Sequence, residues 1–246
     1  MNYFKLSNIA ILFMENIKNT LTKPKDASTI IIIKKEKKIT SVLMGQRPMN
    51  SRFMPGVFVF PGGVLEKTDF LACKFFKPKA NSHINYKRMK ARSTSHAQSL
   101  LLTAIRETVE ETGLYLAKKE ILKEKSHNLD ESTWKKFFKN AYLPSTDKLY
   151  FFGRAITPAH LKIRFHARFF IAFYEDFIGK LKSNGELNNL RWISLEDAKN
   201  ENVADVTEFM INELIKLNNN FSNIHLKKTF PMFTWKNKKR WIKWDS

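Results

Sequence analysis

Acidic residues are scarce in this chain: 23 Asp and Glu stand against 43 Lys and Arg in 246 residues, a formal net charge of +20. A balance of that size suits anionic partners, whether a phosphorylated small molecule, nucleic acid or an acidic membrane surface. Cysteine is nearly absent. Cys73 stands alone, which excludes an intramolecular disulfide and a zinc site of Cys/His spacing, and makes a reducing cytoplasm the expected location. Glycine is low at eight residues while aromatics reach 13 %. That is the composition of a chain that buries a core rather than of a disordered one.

Long apolar runs are missing as well. Residues 9–14 are apolar but too short to cross a bilayer, and no small-residue cleavage site follows them convincingly. No transmembrane segment is expected. Residues 1–26 read as an N-terminal extension in which Met14 is an alternative start.

The few carboxylates that do occur are concentrated. Residues 106–114 read Arg106-Glu107-Thr108-Val109-Glu110-Glu111-Thr112-Gly113-Leu114. On a helix, positions i, i+3 and i+4 share a face, so Glu107, Glu110 and Glu111 project together and repel one another. A hard divalent cation such as Mg²⁺ or Mn²⁺ would offset that repulsion, and oxygen-only ligand clusters suit such ions. The plain alternative is a solvated acidic face. Leu100, Leu101, Ala104, Ile105 and Val109 follow a helical period, Ser95-His96-Ala97-Gln98 has the form of a capping box, and Gly113 suits a C-cap. A helix over about residues 96–112 is predicted.

A glycine turn lies upstream, in Phe60-Pro61-Gly62-Gly63, followed six residues later by Asp69. Together the two segments resemble the Nudix box, the loop–helix–loop signature of Nudix hydrolases: G, five residues, E, seven residues, then REUxEExGU with U aliphatic. Gly63 fits the opening glycine, and Arg106, Glu107, Glu110, Glu111, Gly113 and Leu114 fit the second half. Asp69 stands where the pattern has its first Glu, Thr108 replaces an aliphatic residue, and the seven-residue spacer has become residues 70–105. Most of that insertion is read as a loop over about residues 70–94. Loop entropy grows by only about 0.6 kcal/mol per doubling, so the carboxylate helix tolerates it. The stretch carries Lys74, Lys77, Lys79, Lys87, Arg88, Lys90 and Arg92, a basic surface within possible reach of an anionic substrate.

Residues 43–63 contain Arg47, Arg52, Gly56 and Phe60-Pro61-Gly62-Gly63 at the positions of a second signature, that of coenzyme A diphosphatases among Nudix proteins. Met44, Gly45 and Pro48 depart from it. With the long insertion, the chain is similar to the mammalian peroxisomal CoA-cleaving branch. The resemblance implies a Nudix α/β/α sandwich with a mixed sheet. It also implies metal-assisted hydrolysis of a diphosphate, with Glu107, Glu110 and Glu111 holding Mg²⁺ or Mn²⁺ and Arg106 orienting a neighbouring carboxylate. Arg47 and Arg52 would bind phosphate, as the planar guanidinium fork suits, and Gly62 and Gly63 would admit the diphosphate close to the backbone. The general base is open between a box glutamate and a later acid, Glu186 or Glu175. Phe53, Phe58 and Phe60 are candidates for stacking on a base or for core filling. Other substrates stay open, namely NADH, a dinucleotide or an RNA cap, although no SQPWPFPxS-type NADH motif follows the box. So does a non-catalytic nucleotide or RNA binder.

Strands are expected at residues 29–33, 39–44, 149–156, 164–174 and 190–193, with helices starting after Ser194 and over residues 204–217. The domain is placed at residues 27–218. Residues 219–246 are left as a basic-aromatic tail, open to single-stranded nucleic acid, to a membrane interface, or to docking of its tryptophans on the domain. The scattered histidines earn no catalytic role.

Overall fold

The computed structural model describes residues 22–37, 39–78, 86–120, 133–217 and 220–246. Its central strand is β1 (Lys25–Glu36), in which Ile30, Ile31, Ile32 and Ile33 are all fully buried. A run of branched apolar residues with no polar alternation belongs to a strand covered on both faces. Along one edge β1 pairs in parallel with β8 (Phe165–Phe173). Along the other it pairs antiparallel with β2 (Ile39–Gln46) and, nearer its start, with β4 (Gly62–Val64). The nine-stranded mixed sheet runs β10 (Asn188–Ser194), β2, β1, β8, β7 (Tyr150–Ile156), β11 (Phe230–Lys236), β12 (Lys239–Asp245), with β3 (Phe58–Val59) beside β2. A smaller sheet sets β5 (Leu114–Lys119) between β6 (Tyr142–Pro144) and β9 (Phe177–Gly179).

Alternate isoleucines of β1 feed two cores. Ile30 and Ile32 pack with α1 (Lys67–Phe76), α2 (Thr94–Thr112) and α3 (Thr133–Lys139), through Phe76, Leu100, Ile105, Trp134 and Phe137 among others. Ile31 and Ile33 pack on the other side against α4 (Leu195–Ala198) and α5 (Asp205–Lys216), with Met210, Ile211 and Leu214. The expected α/β/α sandwich is therefore what the chain adopts. Ser194 caps α4 as anticipated, accepting from the Asp197 backbone N–H at 3.1 Å.

The predicted helix α2 is present but begins earlier. Ser93, not Ser95, is the cap, and its hydroxyl accepts from His96 N at 3.1 Å. Gln98, expected in a capping box, instead donates to Pro78 O at 2.7 Å. Gly113 closes the helix with φ 72°, donating its N–H to Val109 O. Ser99, Thr103, Thr108 and Thr112 each bond the carbonyl four residues back. The buried hydroxyl of Thr108, in place of an aliphatic side chain, is thus satisfied by its own helix.

Two expectations of organisation change. The insertion does not begin as a loop: residues 70–76 belong to α1, whose Ala72, Cys73 and Phe76 bury themselves against α2. Apolar spacing within a segment read for its lysines hid that helix. Residues 79–85 lie outside the described residues. The chain returns with Met89 fully buried and with Met89 O and Lys90 O accepting from Arg168. The supposed tail is part of the sheet. Residues 221–226 form a 3₁₀ turn, and β11 pairs in parallel with β7 while β12 folds back on β11. Arg154 anchors the end of β12, donating to Asp245 Oδ2 through Nε and Nη2 at 3.0 and 2.7 Å. Residues 1–21 of the expected extension lie outside the described residues. Its last residues, 25 and 26, are already strand. No helix among the described residues is long and apolar enough to cross a membrane.

Candidate active site

The site forms where α2 passes over the turn into β4. That turn is fixed by β1: Thr29 pairs with Gly62 and Ser28 with Gly63. A Cβ on Gly63 would come within 2.4 Å of the Glu107 carboxyl, and one on Gly62 within 2.4 Å of Ser28 O. Only glycine lets the carboxylate helix and the strand approach this closely. Gly62 N donates to Glu111 Oε2 at 2.9 Å, tying turn to helix directly.

Arg106 organises the acids. Its Nε and Nη2 donate to Asp69 at 2.9 and 3.1 Å, its Nη1 to Glu110 Oε2 at 2.8 Å, and Nη1 lies 2.9 Å from Glu107 Oε1. Asp69 is fully buried and also accepts from Thr103 Oγ1, Trp134 Nε1 and the Glu66 N–H. The aspartate at the pattern's first-glutamate position is thus a buried anchor for Arg106 rather than a group facing the cleft. Docking of α1 on α2 restores across the thirty-six-residue spacer, residues 70–105, the link that a short spacer would make. Two residues that the sequence did not flag complete the brace. Trp134 reaches Asp69, and Thr133 Oγ1 donates to Glu110 Oε1 at 2.6 Å. Nothing in a short helix after residues 121–132 advertised them.

The electrostatics match a site built for a cation. Burial pushes the Glu107 carboxyl up to about 7 against the pull of Arg106, with Glu110 adding to the rise. Glu111 is raised well above the usual carboxylate range by burial and by Glu107, opposed by the Gly62 N–H. Carboxylates strained upward by burial and mutual repulsion are what a nearby divalent charge relieves. Their chemistry, oxygen only, fits Mg²⁺ or Mn²⁺. Among the described residues no three His, Cys, Asp or Glu side chains converge closely enough to enclose a metal. Each carboxylate has a protein partner: Glu107 pairs with Arg106, Glu111 accepts from Gly62 N, and both oxygens of Glu110 are engaged, by Arg106 and by Thr133. Glu107, Glu110 and Glu111 are the side chains that could hold a cation here, Glu110 only by giving up one of those partners.

A cleft of about 950 Å³ opens beside the carboxylates. Gly62, Gly63, Arg106, Glu107, Glu110 and Glu186 line it, as does Arg47, whose Nε donates to Phe53 O at 2.8 Å. Glu186 contributes its charge to the rise of Glu111 and is steadied by Asn184 at 3.0 Å. Arg52 is exposed and does not line the cleft; in its loop, closed at the neck by the Arg47–Val57 and Gly56–Arg47 backbone bonds, the neighbouring Phe53 and Met54 line it instead. Glu175 is also exposed and outside it. Phe53 and Phe60 line it, while Phe58 is core, with Arg191 stacked over its ring. None of the described basic residues of the insertion lines it. Arg92, for instance, pairs with Asp26, and Arg88 stacks on Phe230.

Clustered oxygen donors, a glycine turn and a rim arginine thus meet on one cleft. Residues 23–212 match the NUDIX domain model, and the chain belongs to the Nudix family. Hydrolases of this family act on pyrophosphate bonds, generally with a divalent metal ion. Nudix hydrolase 7 of Caenorhabditis elegans is 26 % identical over 171 residues, 66 % of this chain; the chain spans about half that relative's length, with 50 % of it covered. The crystal structure of a Nudix hydrolase from Alicyclobacillus acidocaldarius superposes with a TM-score of 0.65 at 21 % identity, covering 82 % of this chain and 96 % of that one. A MutT protein from Methanosarcina mazei gives 0.47 at 15 % identity, with 81 % and 99 % covered.

Proposed function

We propose that the chain hydrolyses the diphosphate of a nucleoside diphosphate derivative, and that its substrate is coenzyme A or an acyl-CoA. One water is consumed, one P–O bond of the diphosphate breaks, and the products are 3′,5′-ADP and (acyl-)4′-phosphopantetheine. The observation that carries this reading is the cleft shared by Arg47, the Gly62–Gly63 turn, Glu107 and Glu110, with Glu111 buried behind them and tied to the turn by the Gly62 N–H. Arg47 is positioned by Phe53 O and has no acidic partner among the described residues, so its guanidinium is open to a phosphate. The glycines admit a diphosphate without a side chain between it and the backbone. When bound, Mg²⁺ or Mn²⁺ polarises the phosphoryl oxygens and acidifies a water. Glu107 and Glu111, with Glu110, hold it. Arg106 keeps those carboxylates in register through Asp69. We assign to Glu186, which lines the cleft and is accessible to solvent, the proton of the attacking water.

The test is mass spectrometry of products after incubation with CoA, NADH, ADP-ribose and a capped RNA, each with Mg²⁺ or Mn²⁺. Faster release of 3′,5′-ADP from CoA than turnover of the others supports the reading. Cleavage of another member alone replaces CoA as substrate and removes Arg47's assigned role. No turnover of any of them leaves a nucleotide-binding module.

A further inference from the structure

The hairpin β11–β12 lies beyond the residues that match the family model, 23–212, yet it walls the cleft with Phe233, Trp235 and Lys238. Its placement is fixed three times over. Met232 and Phe233 pair with Arg154 and Ala155 of β7, Thr234 Oγ1 donates to Ile156 O at 2.8 Å, and Arg240 Nη2 donates to Asp205 at 2.9 Å and Glu208 at 2.6 Å on the first turn of α5. The tip closes between Lys236 and Lys239, leaving Asn237 and Lys238 as a two-residue turn with φ of 50° and 61°. Both being left-handed, the turn is of the type that favours glycine at its second position. A lysine holds that position here, against the conformational preference.

The cations at the tip are not equivalent. Lys236 sits 3.7 Å over the Trp241 ring, and Arg240 is bound to its two acids. Asp205, which also lines the cleft, is taken by Arg240. Lys238 lines the cleft and has no hydrogen bond or ion pair among the described residues. The carboxylate end of the cleft is occupied by groups that serve a cation. The hairpin therefore offers an ammonium to a different anion, on the cleft that the indole of Trp235 also lines.

We propose that Lys238, backed by Trp235, is a second anion subsite that takes a phosphomonoester carried by the nucleotide at a distance from the hydrolysed diphosphate. This rests on the reading of the site as a diphosphatase of a CoA-like substrate, whose ribose phosphate is such a group. The subsite selects substrate and leaves the chemistry to α2.

Steady-state kinetics on CoA and on 3′-dephospho-CoA, which differ by that one phosphate, test it in the wild type and in Lys238→Gly. Glycine is the residue the turn favours, so the variant retains the hairpin, and its melting temperature should not fall. In the wild type KM should be lower for CoA. In Lys238→Gly, KM for CoA should rise about tenfold, equivalent to about 1.4 kcal/mol, with kcat within about twofold and dephospho-CoA unaffected, as expected for loss of one charge-assisted contact. Lys238→Arg should keep the preference. An unchanged KM for CoA, or an equal loss on both substrates, overturns the subsite. A wild type that cleaves both equally well overturns it while leaving the diphosphatase reading standing, and one that cleaves neither overturns both.

Discussion

Replacing Asp69 by asparagine removes one charge and almost no volume, and the consequence can be worked from the bonds it makes. Oδ1 accepts from Arg106 Nε and Trp134 Nε1; Oδ2 accepts from Arg106 Nη2, Thr103 Oγ1 and Glu66 N. Thr103 has a second acceptor in Ser99 O, so its hydroxyl can turn away. Whichever way the amide is oriented, its NH₂ confronts two donors that cannot turn: Arg106 Nε with Trp134 Nε1, or Arg106 Nη2 with Glu66 N. A buried donor left unsatisfied costs about 1–3 kcal/mol, and breaking a buried ion pair costs about 3–5 kcal/mol. The two estimates overlap. Glu107 and Glu110 still face Arg106 and keep the loss toward the lower end. Taking the overlap, about 3 kcal/mol, at about 2–4 °C per kcal/mol for a chain of this size, the melting temperature should fall by roughly 6–12 °C. Calorimetry with matched urea unfolding is the assay. A shift within about 2 °C would refute the idea that Asp69 anchors the helix.

Four further outcomes are expected. Glu110→Gln should cut turnover by about two orders of magnitude or more without unfolding the chain, because the amide can donate to Thr133 Oγ1 while its oxygen still accepts from Arg106; near-normal rates would sink the metal-ligand role. His166 is held down to about 3 by burial and by the positive charges of Arg168 and Arg154. Between that value and its ordinary one near 6.5 the unfolded chain binds the extra proton, so its contribution is complete above about pH 6.5 and is lost as pH falls, by at most about 1.4 kcal/mol per pH unit. Urea midpoints at pH 7 and pH 5 should show this, and His166→Asn should flatten the difference; an equal slope in the variant would contradict it. Product analysis across the four diphosphate substrates and the Lys238→Gly kinetics complete the set.

The carboxylate helix was legible because its signals are local: an apolar period, a C-terminal glycine and three glutamates on one face. Its start was misjudged by two residues because Ser93 and Ser95 are equally good caps in isolation. The choice falls to neighbours, with Arg92 N donating to His96 Nδ1 and Gln98 drawn to Pro78. The glycine turn and Arg47 were readable from motif spacing. Thr133, Trp134 and Lys238 were not, since each matters only through a contact across the fold. The basic-aromatic C-terminal stretch misled for a related reason. What makes it part of the sheet is the pairing of β11 with β7 and the Arg154–Asp245 and Arg240–Asp205 ion pairs, contacts across the fold that no local pattern of lysine and tryptophan announces.

The insertion between Asp69 and Arg106 has a consequence for how this site fails. In a compact motif the first acid and the arginine would stay neighbours however the rest of the domain breathed. Here they meet only while α1 lies against α2, held by Ala72, Cys73 and Phe76 at the edge of the core. Sub-global openings of such peripheral units cost less than unfolding the whole molecule. Undocking α1 frees Arg106 and lets the glutamates drift apart while the sheet beneath stays intact. The candidate site would thus lose its Asp69–Arg106 brace before the sheet unfolds, at a limit set by one short helix.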